Sequence, residues 1–151
     1  MNYWLMKSEP AAYAIDDLRK HKRTAWDGVR NYQARNMMRD EMKVGDRVFF
    51  YHSNCEVPGI VGIMKVVRQG YPDASAFDPR DKHFDAQSDP DNPRWYVVDV
   101  AFERKLATTI ALTLLKQHVQ ALGDFALLRK GNRLSVMPVT KQQWDYVLGL
   151  E

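Results

Sequence analysis

The sequence predicts an α+β fold, a small, mostly antiparallel β-barrel of about five or six strands with surrounding helices. Three observations predict it. Strand-like runs do not alternate strictly with helical ones, which gives mixed α and β. The 151 residues suit a single domain spanning 1–151 and would cramp two. At 45% hydrophobic and 11% aromatic residues the chain can bury a real core, which excludes disorder and a long coiled coil.

The elements follow in order from pattern and punctuation. Residues 3–7 are apolar and aromatic and are broken by Glu9-Pro10, a first strand. Residues 14–20 carry Ile15 and Leu18 at helical spacing with acids ahead of bases, a short helix. Asn31 is placed to cap a helix over 32–42, whose apolar face is Ala34, Met37, Met38 and Met42. After a turn at Val44-Gly45-Asp46, residues 47–52 and 59–67 are strand-like neighbours joined by a loop holding Asn54, Cys55 and Pro58. Residues 70–93, with four prolines and six aspartates, are too long for a hairpin and form a functional or mobile loop. A strand returns at 94–102. A short helix at 112–119 and a helical turn at 125–128 follow. Residues 134–139 form a last strand, put at a sheet edge by Pro138. Thr140 with Gln143 is a capping box that opens a C-terminal helix containing Trp144, Val147 and Leu148.

Charge is uneven along the chain although the net is only +3. Residues 19–47 carry nine Lys or Arg against four acids, and residues 104–141 seven against one. Between them, residues 73–91 hold six aspartates against two basic residues. Such blocks are either solvated faces or a basic surface for phosphate with an acidic loop set apart from it. No apolar run is long enough for a membrane helix, so no membrane partner is expected. The first seven residues lack a basic leader with a long apolar segment, and Cys55 is the single cysteine. Together these predict a reducing, cytoplasmic setting, nucleoid-associated or, in a eukaryote, nuclear. With no apolar helix face left over, the expected state is a monomer.

Enzyme signatures are missing. No G-x-S-x-G, P-loop, G-x-G-x-x-G, H-E-x-x-H or zinc-deaminase pattern occurs. One cysteine and four histidines make a poor zinc set despite the spacing of His52 and Cys55, so no metal and no cofactor are expected. The informative residues are polar clusters at strand ends: Lys7-Ser8-Glu9-Pro10, then Tyr51-His52-Ser53-Asn54, and Trp26-Asp27-Gly28-Val29-Arg30-Asn31 just before a helix. Asn31 and the first backbone N–H groups of that helix can face an anion, and Gly28 lets the backbone approach a ligand closely. Trp26 offers a flat face for a base whose edge Ser, Asn and backbone groups can read. Trp4 and Trp26 are otherwise ordinary core residues.

These strings resemble the EVE domain family. The resemblance is carried by Tyr3-Trp4-Leu5-Met6-Lys7-Ser8-Glu9-Pro10 and by Trp26-Asp27-Gly28-Val29-Arg30-Asn31-Tyr32-Gln33-Ala34-Arg35-Asn36. Gly45-Asp46, Phe50-Tyr51-His52-Ser53-Asn54, Gly59-Ile60-Val61-Gly62, Tyr71-Pro72-Asp73, Pro93-Arg94-Trp95 and Arg133-Leu134-Ser135-Val136 continue it in order. It implies a PUA-like barrel related to PUA, ASCH and YTH domains, and a binder of modified bases in DNA or RNA with no established catalysis. By analogy with YTH domains, Trp26 is one wall of an aromatic cage, and Tyr71 or Phe77 supplies the second.

The resulting expectation is a non-catalytic nucleic-acid-binding module for a methylated or hydroxymethylated cytosine or similar base. Its ligand-binding candidates are Trp4, Lys7, Ser8, Trp26, Gly28, Val29, Arg30, Asn31, Tyr51, His52, Ser53, Asn54, Tyr71, Asp73, Leu134 and Ser135. Ser8, Asn31, Ser53 and Asn54 would contact the base edge, and Lys7 and Arg30 the flanking phosphates or a base carbonyl. His52 either bonds within the pocket or braces a strand end, Arg133 and Ser135 close the barrel or bind, and Asp73 caps its loop or accepts from an exocyclic amine. The alternatives are an enzyme acting on a modified base with Glu9, Asp73 or His52 as acid or base, and a general nucleic-acid scaffold with no base preference.

Overall fold

A computed structural model describes residues 1–151. Six strands form one sheet: β1 (Tyr3–Ser8), β2 (Arg23–Ala25), β3 (Arg47–His52), β4 (Gly59–Pro72), β5 (Tyr96–Ala111) and β6 (Val136–Val139). Their spatial order is β2-β5-β4-β3-β1-β6. Only β1 and β3 run parallel; every other neighbouring pair is antiparallel. The parallel pair needs a crossover, and the chain between the two strands supplies it with helix α1 (Ile15–His21), β2 and helix α2 (Tyr32–Asn36). The expected α+β class with six strands holds, but the sheet is not closed into a barrel and ends at β2 and β6. Both edges are poor templates for pairing, since β2 is three residues long and β6 contains Pro138, which has no N–H to donate.

Alternation along the strands sends side chains to two cores. In β1, Trp4 and Met6 enter one cluster and Leu5 the other; in β3, Val48 and Phe50 part from Phe49 and Tyr51 in the same way. The first core also takes Ile15 and Leu18 of α1 and Ala34 of α2. The second takes Leu115 of α3 (Leu112–Gln117), Leu122 of α4 (Val119–Leu122), and Trp144 and Val147 of α5 (Lys141–Leu148). The α5 capping box forms as expected, with Gln143 N–H donating to Thr140 and Thr140 N–H to the Gln143 side chain.

The structure departs from the sequence reading at β2, which was not expected as a strand, and in three further places. β5 runs on to Ala111 through Glu103-Arg104-Lys105, because pairing with β4 outweighs a weak local strand preference. The helix expected over 32–42 changes to a π turn, Met37–Glu41, with Met42 N–H donating to Met37 O at 2.9 Å, and Met37, Met38 and Met42 all stay buried. The loop expected from residue 70 starts later, since β4 continues through Pro72.

Two contacts fix the N-terminal strand and the crossover. The buried Asp46 carboxylate accepts from Trp4 Nε1 at 3.0 Å and from the backbone N–H groups of Asn2 and Lys43. Gly62 in β4 leaves room for α1, since a Cβ there would stand 2.5 Å from Ile15 Cδ1 and 2.8 Å from Arg104 O. Asp46→Ala should therefore cost about 1–3 kcal/mol in urea unfolding, because it strands a buried indole N–H and two backbone donors.

Candidate functional site

A cavity of about 810 Å³ opens where the C-terminal end of β1 meets the Trp26–Arg30 stretch and the loop after β4. That volume lies within the ~300–1,000 Å³ usual for small-ligand pockets. Lys7, Ser8 and Glu9 form one wall with Ala12 and Tyr13 behind them; Thr24 to Arg30 form the floor and far wall. Arg80, Asp81, Lys82 and His83 of the loop form the rim, and Ser135 closes the side next to β6.

Trp26 belongs to both core and cavity. It is 7% exposed and edge-packed against Phe50 and Tyr13, with ring centroids 5.2 and 6.5 Å away. Its backbone N–H is held by Val98 O at 2.9 Å. Trp4 donates its indole N–H to Asp46 and Trp95 donates its own to Asp85, whereas Trp26 has no such acceptor and lacks the full burial of the Trp144 nitrogen.

The long loop is fastened across the Trp26–Arg30 stretch by one carboxylate. Asp73, 1% exposed, accepts from Gly28 N–H and Arg30 Nη1, each at 3.0 Å, and from the Ser75 backbone N–H and hydroxyl at 2.9 and 2.7 Å. Arg30 donates further to Val29 O, His83 O and Ser75 Oγ, so each guanidinium nitrogen is engaged within the protein. Burial alone would raise the Asp73 pKa above 3.8, but the bonds from Ser75, Gly28 and Arg30 outweigh it and hold it below that value. Gly28 has φ +80, and a Cβ there would fall 2.5 Å from the His83 ring, so the loop can close only over glycine.

The acidity of the loop has a local cause. Asp73, Asp78, Asp81, Asp85 and Asp89 each accept from the backbone N–H two residues on, a chain of Asx turns. The loop expected to stand apart is in fact folded onto the cavity, to which it brings Arg80, Lys82 and His83.

Of the residues singled out in the sequence, Lys7, Ser8, Trp26, Gly28, Val29, Arg30 and Ser135 line the cavity together. Asp73 lies behind the wall. Trp4 is held by Asp46 away from it. Tyr51 packs in the second core. Asn31 caps α2 by accepting from Ala34 N–H at 3.0 Å. His52 Nε2 accepts from Ile15 N–H at 3.1 Å, which braces the start of α1 with a neutral ring whose pKa burial lowers. Asn54 donates to Glu9 Oε1 at 2.9 Å. Ser53 and Leu134 are partly buried but do not line the cavity. The expected second aromatic wall is corrected: neither Tyr71 nor Phe77 reaches the cavity, and Tyr71 donates its hydroxyl to Asp99 while Arg68 stacks 3.6 Å from its ring. Tyr13 and His83 line the cavity instead, as does Asp27. Tyr13 lies in a helix approach with no motif of its own, and His83 in the aspartate-rich loop, so neither carried a local signal.

Two unpaired charges face this space. Lys7 is partly buried with no carboxylate within ion-pair distance, and burial lowers its pKa; its Nζ lies 5.8 Å from the Tyr51 ring centroid. Asp27 is exposed to the cavity yet receives no hydrogen bond from another side chain. Loss of water around it, then the charges of Asp73 and Asp81, raise its pKa.

The EVE domain matches residues 2–150. The chain belongs to the EVE domain family. It is 48% identical to thymocyte nuclear protein 1 of Danio rerio over 98% of this chain and 71% of that protein. The human protein is 44% identical over 99% and 74%. A crystal structure of a Pseudomonas syringae protein matches with a TM-score of 0.94 at 47% identity, covering 98% of each chain. The crystal structure of human THYN1 protein in complex with 5-methylcytosine-containing DNA matches with a TM-score of 0.94 at 43% identity, covering 99% of this chain and 97% of that one. The open six-stranded sheet is thus the PUA-like arrangement of EVE domains.

The Asp73 clamp makes a pH prediction. A folded-state pKa below 3.8 means its contribution is complete above that pH and is lost as pH falls through the folded value. Asp73→Asn should lower stability near pH 7 by about 3 kcal/mol, since Arg30 loses its buried partner. Urea-unfolding curves of the two proteins should converge as pH falls below the folded pKa.

Proposed function

We propose that this chain is a non-catalytic reader of a modified cytosine in DNA, and that the cavity floored by Trp26 receives the base. The observation that carries the reading is the match to human THYN1 in complex with 5-methylcytosine-containing DNA, over nearly the whole of both chains. The cavity has the composition such a base needs. The accessible strip of Trp26 and the faces of Tyr13 and Val29 offer apolar contact for the ring and its methyl group, while Lys7, Ser8, Asp27 and Ser135 offer polar contacts to its edge. Lys82 and Arg80 at the rim, with Lys7 deeper in, supply positive charge where flanking phosphates would run. Arg30 is assigned to holding the loop rather than to phosphate, since its donors are already engaged.

Binding is favoured over catalysis because the acid–base candidates that the sequence singled out are committed elsewhere. Glu9 receives Asn54, Asp73 is consumed by Gly28, Arg30 and Ser75, and His52 holds the start of α1. The Ser8 hydroxyl donates to Tyr13 O at 2.7 Å and has no base beside it. The lone, free Cys55 and the absence of any helix long and apolar enough to cross a membrane fit a reader working where DNA is held in a reducing compartment.

Fluorescence anisotropy with labelled duplexes carrying cytosine or 5-methylcytosine at one position tests this. The wild-type chain should prefer the methylated duplex, and Trp26→Ala should remove about 10–100-fold of that affinity, the scale of one base-stacking contact. Thermal unfolding of the variant, whose Trp26 is also a core residue, checks that binding is measured on folded protein. Equal affinity of the wild-type chain for both duplexes would overturn the reading.

A further inference from the structure

Thymine and 5-methylcytosine carry the same methyl group on the same ring carbon. They differ at the neighbouring position, where cytosine bears an amine that donates and thymine an oxygen that accepts. A pocket that senses only the methyl group and the flat ring therefore cannot separate them. Separation needs a fixed acceptor facing the amine.

Among the carboxylates of the cavity, one receives no hydrogen bond from another residue. Of its three carboxylates, Glu9 receives Asn54 Nδ2 at 2.9 Å and Asp81 receives the His83 backbone N–H at 2.8 Å. Asp27 receives no other side chain. Its backbone is pinned on both sides: Trp26 N–H donates to Val98 O at 2.9 Å, and Gly28 N–H donates to Asp73 at 3.0 Å. Asp27 is thus held beside Trp26, exposed on the lining of the cavity. Lys7, on β1, is the matching unpaired donor, and the two do not form an ion pair with each other. A base edge that presents a donor matches the Asp27 carboxylate in charge, and an edge that presents an oxygen there is opposed by it.

We propose that Asp27 is the acceptor for the exocyclic amine of the bound base, so that the cavity selects cytosine-type bases over thymine and uracil whether or not a methyl group is present. This rests on the cavity being the base pocket. The nearby charges of Asp73 and Asp81 deepen the negative potential at Asp27, which favours an N–H donor there and opposes an oxygen.

The test is a four-duplex competition by fluorescence anisotropy, with cytosine, 5-methylcytosine, thymine or uracil opposite the same guanine. Mismatched thymine and uracil leave the stack readily, so weak binding to them reports recognition rather than the cost of extrusion. The wild-type chain should bind the 5-methylcytosine duplex about 10–100-fold more tightly than the thymine duplex. Asp27→Asn, whose amide can turn either an oxygen or an NH2 to the base, should bring the two affinities to within about threefold. A wild-type chain that prefers 5-methylcytosine to cytosine but binds thymine equally well would overturn the role of Asp27, and so would an unchanged ratio in Asp27→Asn. Equal binding of cytosine and 5-methylcytosine, both above thymine and uracil, would overturn methyl reading and leave Asp27 as the amine acceptor. Equal binding of all four would overturn both. The wild-type ratio alone needs no variant, and circular dichroism confirms that the exposed, isosteric Asp27→Asn is folded.

Discussion

The cavity exists because a single buried carboxylate holds two distant stretches of chain together. Asp73 takes four hydrogen bonds, two from its own turn and two from Gly28 and Arg30, more than forty residues earlier. A carboxylate at 1% exposure is tolerable only when its oxygens are this fully satisfied. Arg30 then extends the clamp to His83 O, ten residues beyond Asp73, and its guanidinium lies 5.4 Å from the Trp95 ring. The loop that roofs the site is therefore ordered by charge and hydrogen bonding rather than by an apolar core of its own. Removing the clamp would release the rim residues and the Trp26–Arg30 wall together.

That arrangement divides the polar residues of the site into two groups. Asp73, Arg30, Asn31, His52 and Asn54 spend their hydrogen-bonding capacity on the protein. Lys7, Asp27 and the Trp26 indole N–H have no such side-chain partner. The free groups sit on fixed backbone, Lys7 N–H donating to Ser135 O, Trp26 N–H to Val98 O and Gly28 N–H, next to Asp27, to Asp73, which preorganises the site. Asp73 and Asp27 are both aspartates of one small region, yet burial and partners give them opposite pKa shifts.

Much of this was legible in the sequence, for identifiable reasons. The strands at 3–7 and 47–52, the Asn31 cap and the Thr140–Gln143 box are local features, and local propensity and capping chemistry set them. Pro138 marked an edge because it lacks an N–H wherever it sits. The cavity was approached through Lys7, Ser8 and Trp26, whose polar neighbours at strand ends stood out from core patterning. What could not be read depended on contacts distant in sequence. The continuation of β5 through Glu103-Arg104-Lys105 is imposed by β4. Six aspartates in one loop suggest an anionic surface, and only the backbone reveals that five of them close turns. Asp27 stood inside a recognised string, but its freedom from partners is a property of the folded neighbourhood and not of the string.

The most direct test of the account follows the four indole N–H resonances by 1H–15N NMR as DNA is added. Trp4 and Trp95 are tied to aspartates, Trp144 is buried, and Trp26 alone borders the cavity. A 5-methylcytosine duplex should move the Trp26 resonance strongly and leave Trp4 and Trp144 in place, while the unmodified duplex moves it little. A Trp26 resonance that ignores the methylated duplex while binding is saturated would show that the base goes elsewhere, and would contradict the account at its centre.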